Sequence, residues 1–173
     1  MKILRNFQKS FLTLFQMPNC PTCKGKTKKG ARCSLKTCKT APMCHHHTPL
    51  RLGDSKIAGK GLFARRDIPT KTKILDYTLG TDKLTHSQMQ TRYPTDKPTH
   101  LAEVKTKDGV RYFDAKNPNK SWAGMANTSE RKNGKKLPNN ARFNGNGNGG
   151  IATSKKIKKD QEILLSYGTS YTI

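Results

Sequence analysis

The chain has 173 residues, with 34 lysines and arginines against 11 aspartates and glutamates, so its formal net charge is +23. Only 32% of the residues are hydrophobic, and no run approaches the roughly 18 apolar residues of a membrane-spanning helix, which excludes a membrane-embedded protein. Short apolar runs alternate with turn residues, which argues against a long disordered chain. We therefore expect one domain of ordinary size with a small appendage.

The positive charge is distributed unevenly along the chain. Residues 1–53 contain 11 lysines and arginines and no acidic residue, whereas the remainder contains 23 basic and 11 acidic residues and has a net charge of +12. Such a balance attracts polyanions, so we expect nucleic acid as a partner ahead of an acidic protein face or an anionic lipid surface. The alternative interpretation is a generally basic, solvated surface.

Residues 1–17 form an amphipathic, basic N-terminal segment. Its apolar residues recur at helical spacing and basic residues lie among them: Leu4, Phe7, Phe11, Leu14 and Phe15, with Lys2, Arg5 and Lys9. Polar residues such as Asn6 and Gln8 interrupt any apolar region of a secretory signal. The pattern is compatible with an organelle presequence, a membrane-surface helix or an ordinary packing helix.

All five cysteines lie within residues 18–50, between Cys20 and Cys44. An odd, clustered set in a chain without a secretory signal argues against a disulfide framework and indicates a metal site. Zinc prefers four thiolate or imidazole ligands in a tetrahedron, and short cysteine-rich turns supply them without a large core. We therefore interpret residues 18–50 as a zinc knuckle.

The ligand set that we favour consists of Cys23, Cys33, Cys44 and His47. Two residues separate Cys44 from His47, which is enough to place both side chains on one metal ion. Cys20 with Cys23 is the competing pair, and Cys38 could replace one of them. The stretch also resembles small knuckles of viral and phage proteins. The metal would fold a segment too small for its own core, and the lysines of the segment would contact a polyanion.

The composition changes at residue 51, where acidic residues and short strand-like runs begin, so we assign residues 51–173 to one domain. Its first marker is a turn in which Gly59 and Gly61 flank one residue. Glycines in such a turn let the backbone approach a ligand closely or take positive φ. Further along, Thr85–Tyr93 is a candidate helix that opens with a capping threonine and ends before Pro94.

Several more short fragments of this domain follow the glycine turn. In chain order they are Ala64–Pro69, Lys73–Gly80, Tyr112–Ala115, Asn127–Ser129, Asn139–Phe143 and Ile157–Gly168. In this order and spacing, residues 52–173 resemble a SET-domain protein lysine methyltransferase over nearly their whole length. The compact size and the ending Ser166–Tyr171 look most like the small SET proteins of large DNA viruses and bacteria.

The resemblance implies a mainly β fold of several short, twisted sheets with a C-terminal pseudoknot, in which the last strand threads under the Asn127 loop. It also implies S-adenosylmethionine as the cofactor. Tyr167 would lie at the methyl-transfer channel, beside Asn127, and Tyr77 and Tyr171 would line the same channel. The cofactor-binding positions implied by the resemblance are Gly59, Lys60, Gly61, Leu62, Asn127, Thr128 and Ser129.

Some positions depart from the family pattern. Thr128 stands where relatives usually have histidine, and Gly124 stands where they commonly have arginine. These departures keep open the alternative of a catalytically degenerate relative that binds zinc and nucleic acid. Leu165 carries no hydroxyl group that could hold a water molecule, so multiple methylation is not obviously blocked.

The function that the resemblance implies is S-adenosylmethionine-dependent protein-lysine N-methyltransfer. Because a basic domain repels an isolated basic tail, we expect a histone or another nucleic-acid-associated protein as the substrate, bridged by nucleic acid to the basic N-terminal half. Glu103, Asp108 and Asp114 are candidates for an acidic acceptor groove. The compartment stays open, with the nucleus and a virion as alternatives, and so does the oligomeric state.

Overall fold

The computed structural model describes residues 20–95, 100–129, 137–144 and 149–166. Within these ranges the protein is mainly β, as predicted, and its helical elements are α1 (His86–Arg92) and a 3-10 turn (Ala123–Met125). The strands are β1 (Leu50–Asp54), β2 (Lys60–Ala64), β3 (Lys73–Asp76), β4 (Asp82–Leu84), β5 (Leu101–Thr106), β6 (Gly109–Asp114), β7 (Asn127–Thr128), β8 (Ala141–Asn144), β9 (Gly150–Thr153) and β10 (Leu164–Leu165).

The described strands form small sheets around one hydrophobic core. The strand orders are β1–β2, β3–β9–β8, β4–β6–β5 and β7–β10. Each strand is short and apolar on the side that faces inward, so no single sheet could bury its own face. Side chains from every sheet therefore meet in the core, among them Leu62, Ile74, Val104, Phe113, Ile151 and Leu165.

The hairpin of β1 and β2 carries the glycine turn. Asp54 pairs with Lys60 and Gly53 with Gly61, so the intervening loop is closed at its base. Ser55 N–H donates a 2.8 Å hydrogen bond to the carbonyl oxygen of Gly59. Gly59 has a φ of +46°, a conformation that side-chain-bearing residues rarely adopt, so this glycine is required for the turn.

Helix α1 forms where the sequence predicts it. Thr85 is its N-cap, and the Thr85 hydroxyl and the Gln88 side chain each accept a backbone N–H of the other residue, which completes a capping box. Tyr93 is the C-cap, directly before proline. None of the residues of α1 is buried, so the helix is held to the domain by polar contacts.

The C-terminal strand runs between two earlier parts of the domain. On one side Ile163 N–H donates a 2.8 Å hydrogen bond to the carbonyl of Leu62 in β2. On the other side β10 pairs in parallel with β7, with Leu164 opposite Asn127. This placement matches the threading that the resemblance implies, and it brings β10 next to the asparagine strand, β7, which begins at Asn127.

Residues 20–49 form the knuckle, which packs directly against the domain. Trp122 N–H donates a 3.0 Å hydrogen bond to the carbonyl of Lys39, and the Lys39 ammonium lies 5.7 Å from the centre of the Trp122 ring. Arg66 donates a 3.1 Å hydrogen bond to the carbonyl of His47. Leu50, the first residue of β1, is fully buried in the core of the domain, so β1 begins one residue before the expected boundary at residue 51.

A disulfide bond joins Cys20 to Cys38. The expectation that these cysteines form no disulfide, and that either could replace a metal ligand, is therefore wrong. The chain of the knuckle turns back on itself, so that Thr22 pairs with Lys36 in an antiparallel β-bridge. This pairing brings the Cα atoms of Cys20 and Cys38 to within 4.9 Å of each other, which is in the range of disulfide bonds. Spacing in the sequence does not reveal this reversal.

Candidate metal centre and cofactor cleft

Three cysteines and one histidine of the knuckle converge at a single point. Their ligand atoms all lie within 4.8 Å of one another: the Sγ atoms of Cys23, Cys33 and Cys44 and a ring nitrogen of His47. The Cys33 and Cys44 sulfurs are 3.9 Å apart, close to the edge of about 3.8 Å that follows from a tetrahedron with Zn–S bonds of about 2.3 Å. Cys44 Sγ lies 3.3 Å from His47 Nδ1. The residues and their spacing fit a four-coordinate zinc ion.

The second ring nitrogen of His47 has a partner that orients the ring. Nε2 lies 2.7 Å from the carbonyl oxygen of Lys26, and because a carbonyl can only accept, Nε2 carries the proton. Nδ1 then directs its lone pair at the sulfurs, the arrangement that a metal-binding histidine requires. Gly25 leaves room for this ring, since a Cβ atom on Gly25 would lie 2.5 Å from His47 Cγ.

Backbone amides favour the thiolate form of Cys23. Burial by itself raises the pKa of the thiol, but hydrogen bonds from the N–H groups of Cys44 and Gly25 outweigh it, and the pKa falls from 9.0 to about 7. For Cys44 burial dominates and raises the pKa of the thiol. A metal ion would compensate for the burial of these sulfurs, because thiolates are the form that binds metals.

Asn127 joins the asparagine strand to the glycine turn. Its side-chain Nδ2 lies 3.2 Å from the carbonyl oxygens of both Ala58 and Lys60, and 2.9 Å from Oε1 of Glu162. The three contacts place the amide between the hairpin turn and the C-terminal strand. The structure thus brings together the two segments that the resemblance assigns to the cofactor.

The other residues that the resemblance assigns to the glycine turn differ in the exposure of their side chains. The Lys60 side chain is exposed and its Nζ lies 2.6 Å from an Asp54 carboxylate oxygen. Leu62 is fully buried, so its side chain belongs to the core and its backbone alone faces the turn. Gly61 must lack a side chain, since a Cβ atom there would overlap the Glu162 carboxylate.

Thr128 and Ser129 are both buried beside the C-terminal strand. Ser129 N–H donates a 3.1 Å hydrogen bond to the carbonyl of Leu165. The Ser129 hydroxyl is buried and has no hydrogen-bond partner in the part of the chain that the structure describes. A buried polar group without a partner is costly, so the Ser129 hydroxyl is an exception to the usual pairing of buried polar groups.

Gly124 explains one departure from the family pattern. A Cβ atom at this position would lie 2.7 Å from the carbonyl oxygen of Ala115 and 2.9 Å from its Cβ. The 3-10 turn here packs so closely on the segment after β6 that no side chain fits. An arginine at this position would therefore clash with the segment after β6.

Of the three tyrosines expected in the channel, Tyr77 lies in the part of the chain that the structure describes. Tyr77 is buried, and its hydroxyl donates a 2.8 Å hydrogen bond to the carbonyl of His100. Its ring meets Phe143 edge-on, with 5.7 Å between the ring centres. Tyr167 and Tyr171 lie outside the described residues.

Two polar residues that the sequence analysis did not assign hold the C-terminal strand. Asn140 is buried, and its Nδ2 donates to the carbonyl of Glu162 at 2.7 Å while its Oδ1 accepts the N–H of Leu164 at 2.8 Å. Glu162 contacts Asn127, as described above. Both residues fall within fragments that carry the resemblance, but only the folded chain shows their partners.

Asp114, one of the three candidates for an acidic acceptor groove, instead forms contacts within the domain. The Asp114 carboxylate accepts hydrogen bonds from the Tyr93 hydroxyl at 2.7 Å and from Arg92 at 3.0 Å. Burial, together with the neighbouring Asp114, raises the pKa of Tyr93 to about 12. Glu103 and Asp108 are exposed, so they stay candidates for contact with a basic substrate.

Comparison with known families identifies the fold. The family model for the SET domain matches residues 59–168. The chain belongs to the SET-domain family. The match begins at the glycine turn and includes β2 to β10, so Asn127 and its partners Lys60 and Glu162 lie within the matched residues.

Solved structures share the SET fold at low sequence identity. The methyltransferase domain of human PR domain-containing protein 2 is 20% identical, with a TM-score of 0.52, and the match covers 80% of this chain and 94% of that one. CpSET8 from Cryptosporidium is 14% identical with a TM-score of 0.54, covering 73% and 61%. A chain of the Chaetomium thermophilum polycomb repressive complex 2 is 18% identical with a TM-score of 0.54, covering 70% and 15%.

No curated protein sequence is a significant match to this chain. The likeness to small viral and bacterial SET proteins therefore stays a prediction. In the part of the chain that is described, no helix is both long enough and apolar enough to cross a membrane.

Proposed function

We propose that this SET protein is an S-adenosylmethionine-dependent protein-lysine N-methyltransferase. The observation that carries the proposal is the contact of the Asn127 side chain with the carbonyls of Ala58 and Lys60, which joins the asparagine strand to the glycine turn. Membership of the SET family supports the same reaction. The human neighbour is itself described as a methyltransferase domain.

The residues around Asn127 have the chemistry to hold the cofactor. Asn127 offers a hydrogen-bonding amide, and Ser129 carries a buried hydroxyl without a described partner. Gly61 lets the Glu162 carboxylate and the Asn127 amide lie close to the backbone of the turn. The positions that we assign to cofactor binding are Gly59, Lys60, Gly61, Leu62, Asn127, Thr128 and Ser129. When bound, S-adenosylmethionine supplies an electrophilic methyl group on a sulfonium. We propose that Thr128 contacts the cofactor through its backbone, since its side chain is buried.

The remaining chemistry is alignment of a neutral lysine amine. Orientation within a narrow channel can lower the barrier by several kcal/mol, and partial burial lowers the pKa of the amine so that it can act as a nucleophile. We assign Tyr167 to orient the amine through its hydroxyl group. An ordinary tyrosine pKa of about 10 argues against a general-base role at neutral pH. We assign the rings of Tyr77 and Tyr171 to the channel wall.

The knuckle supports a substrate that is associated with nucleic acid. We propose that its Cys23, Cys33, Cys44 and His47 cluster binds a structural zinc ion. Around this buried cluster the knuckle exposes basic side chains, and it contains no acid: Lys24, Lys26, Lys28, Lys29, Arg32 and Lys36. Such a surface binds phosphate backbones. Nucleic acid would then bridge the enzyme and a basic substrate such as a histone.

A transfer assay with Tyr167→Phe tests the proposed function. The wild-type chain, given methyl-labelled S-adenosylmethionine and chromatin proteins, is expected to transfer label to lysine. Tyr167→Phe removes one orienting hydroxyl, so kcat should fall by about 100-fold or more while cofactor affinity changes little. The measurement is label per lysine over time, with a cofactor titration of both proteins.

Two outcomes would contradict this assignment. Label transfer that is unchanged in Tyr167→Phe would remove Tyr167 from the active site. A wild-type chain that binds nucleic acid and zinc but no cofactor would favour the degenerate relative instead.

A further inference from the structure

Two turns of the SET domain lie side by side next to the knuckle. They are residues 65–67, which follow β2, and residues 158–160, which precede β10, and we call them the turn pair. Lys159 N–H donates a 3.0 Å hydrogen bond to Oδ1 of Asp67, so the two turns are in direct contact. Segments that are far apart in the sequence thus share one surface of the domain.

The turn pair carries more positive than negative charge. Its acidic residues, Asp67 and Asp160, both have a cation from outside the turn pair as partner. Lys156 Nζ lies 3.0 Å from Asp67 Oδ2, and Arg51 lies 2.9 Å from Asp160 Oδ1. In the described part of the chain, no carboxylate lies within ion-pair distance of the four basic side chains of the turn pair, all of them exposed: Arg65, Arg66, Lys158 and Lys159.

The Asp67 carboxyl group reflects the positive potential of this surface. The Lys159 N–H and the Lys156 ammonium hold the pKa of Asp67 below its ordinary value, and the charge of Lys158 contributes to the same shift. The surroundings of the turn pair therefore stabilise a negatively charged oxygen. The oxygens of a phosphate group carry the same kind of charge.

His47 connects the turn pair to the knuckle. Arg66 donates a 3.1 Å hydrogen bond to the carbonyl of His47, and His47 Nε2 lies 2.7 Å from the carbonyl of Lys26. Lys26 pairs in turn with Arg32 in an antiparallel β-bridge. Because a carbonyl carries no net charge, its contact with Arg66 orients the guanidinium group without neutralising it. Basic residues of the knuckle and of the SET domain therefore adjoin each other at His47.

The side chains that are exposed favour a nucleic-acid duplex as the partner. Proteins that bind single strands stack the bases on aromatic rings, and helices that bind membrane surfaces insert apolar side chains. Among the described residues, the large hydrophobic side chains that are exposed are Leu35 and Val110, neither of which is aromatic or belongs to the turn pair. Cations without such side chains are suited to the phosphate backbone of a duplex.

We propose that the turn pair and the knuckle form one continuous surface for the phosphate backbone of a nucleic-acid duplex, an inference that rests on the nucleic-acid interface of the proposed function and extends it onto the SET domain. Each cation that contacts a phosphate releases a counterion from the duplex. Both the affinity for a duplex and its dependence on salt should therefore depend on the turn pair as well as on the knuckle.

Binding of the full chain to a fluorescently labelled DNA duplex, followed by anisotropy at several salt concentrations, tests this surface. The triple variant Arg65→Gln, Lys158→Gln, Lys159→Gln removes three cations and leaves the contact of Arg66 with His47 in place. We expect its Kd at low salt to be about 10–30-fold above that of the wild type, and the slope of log Kd against log salt concentration to fall by about 2–3.

The matched control removes the same charge from another part of the SET domain. Lys83, Lys105 and Lys107 are exposed and lie on β4, on β5 and in the turn after β5. Their replacement by glutamine should change the Kd by less than about twofold and the slope by less than about 1.

A comparison with the knuckle tests whether the surface is continuous. The triple variant Lys28→Gln, Lys29→Gln, Lys36→Gln should weaken binding of the same duplex, and the effects of the two triple variants on log Kd should add when they are combined. One duplex should bind per chain. Binding of two duplexes per chain would show that the knuckle and the turn pair are separate sites, and the proposed surface would be wrong.

Other outcomes would also overturn the inference. One is an unchanged Kd and salt slope in the turn-pair variant while the knuckle variant is weakened, and this outcome leaves the proposed function intact. Another is tighter binding of the wild type to a single strand of equal length, or to anionic lipid vesicles, than to the duplex. A wild type that binds no duplex would remove the bridging role as well. Since these titrations contain no cofactor, a lack of methyl transfer would instead contradict the proposed reaction alone.

Discussion

Three glycines of this protein have a neighbouring group in the space that a side chain would occupy. Gly61 leaves space for the Glu162 carboxylate, and Gly25 leaves space for the His47 ring. At Gly124 a Cβ would lie 2.7 Å from the carbonyl oxygen of Ala115. Interiors are packed too densely to absorb such overlaps cheaply. At these three positions, therefore, glycine is required by a specific neighbour and not by backbone flexibility.

The metal ligands can be distinguished by replacing one cysteine at a time. The full chain is expected to contain one zinc ion, and Cys33→Ser should reduce this content well below one because it removes one of four ligands. Elemental analysis of the purified proteins measures zinc per chain. A thermal unfolding curve should show an accompanying fall in Tm, since metal binding and folding of the knuckle are coupled.

Cys20→Ser is the matched control for this experiment. Cys20 is bonded to Cys38 and does not belong to the convergent cluster. The variant should therefore keep its zinc, even if loss of the disulfide lowers its stability. Loss of zinc from Cys20→Ser to the same extent as from Cys33→Ser would show that the ligand set is wrong.

At the scale of elements, α1 shows how a short helix can be held without burying a side chain. Arg92, in its last turn, pairs at 3.0 Å with both Asp82 and Asp114. Tyr93, the C-cap, adds a 2.7 Å hydrogen bond to Asp114. Because the Asp114 side chain is only 6% exposed, these contacts are partly shielded from water and should stabilise the helix more than a surface ion pair would.

The Asp114 contacts predict acid sensitivity. Burial raises the pKa of Asp114, but hydrogen bonds from Tyr93, the Lys116 N–H and Arg92 outweigh it, so the pKa lies below its ordinary value. The stabilisation is therefore present above a pH of about 4 and is lost as the pH falls through the lowered pKa. Asp114→Asn should reduce the free energy of unfolding by about 1–3 kcal/mol at pH 7, and less at pH 2.

Urea unfolding of the wild type and Asp114→Asn at several pH values measures this difference. Asp108→Asn, a change of the same kind at an exposed turn residue, should have little effect at either pH. A difference between the wild type and Asp114→Asn that is constant from pH 7 to pH 2 would show that the charge of Asp114 contributes nothing.

At the scale of the whole molecule, the knuckle and the SET domain form one packed unit in the described chain. Lys39 contacts Trp122, and Cys38 lies close to Gly80, where a Cβ would be 3.2 Å from Cys38 Cβ. Trp122 directly precedes the 3-10 turn that leads into Asn127. The basic knuckle thus packs against the segment that leads to the proposed cofactor site.

This arrangement predicts a preference for substrates that are bound to nucleic acid. The wild type should methylate a nucleosome faster than the free histone tail, and the ratio of the two rates should fall as salt is added. The triple variant Lys28→Glu, Lys29→Glu, Lys36→Glu should lower the ratio by about tenfold. Initial rates on both substrates, at two salt concentrations, measure the effect.

A triple charge reversal on the SET domain is the control. Lys105, Lys107 and Lys155 are exposed, and their replacement by glutamate changes the net charge equally but leaves the knuckle intact. The control should keep most of the preference for nucleosomes. Equal wild-type rates on the nucleosome and the free tail would refute the bridging role.

Local signals account for the features that the sequence predicts well. Thr85 and the proline after Tyr93 set the ends of α1 because capping depends on neighbouring residues. The order of the SET fragments, the glycine turn and the mainly β class are likewise properties of contiguous segments. The clustering of cysteines indicates a metal site because all the candidate ligands lie within a short stretch.

The sequence by itself therefore determined the family, the class of fold and the segments of the site. The tertiary structure alone decided which distant groups meet: Cys20 with Cys38, Glu162 with Asn127, and Ala115 with Gly124. The physical reason is that capping, turn formation and strand alternation depend on near neighbours, whereas these contacts form only when separate strands and turns pack around a common core.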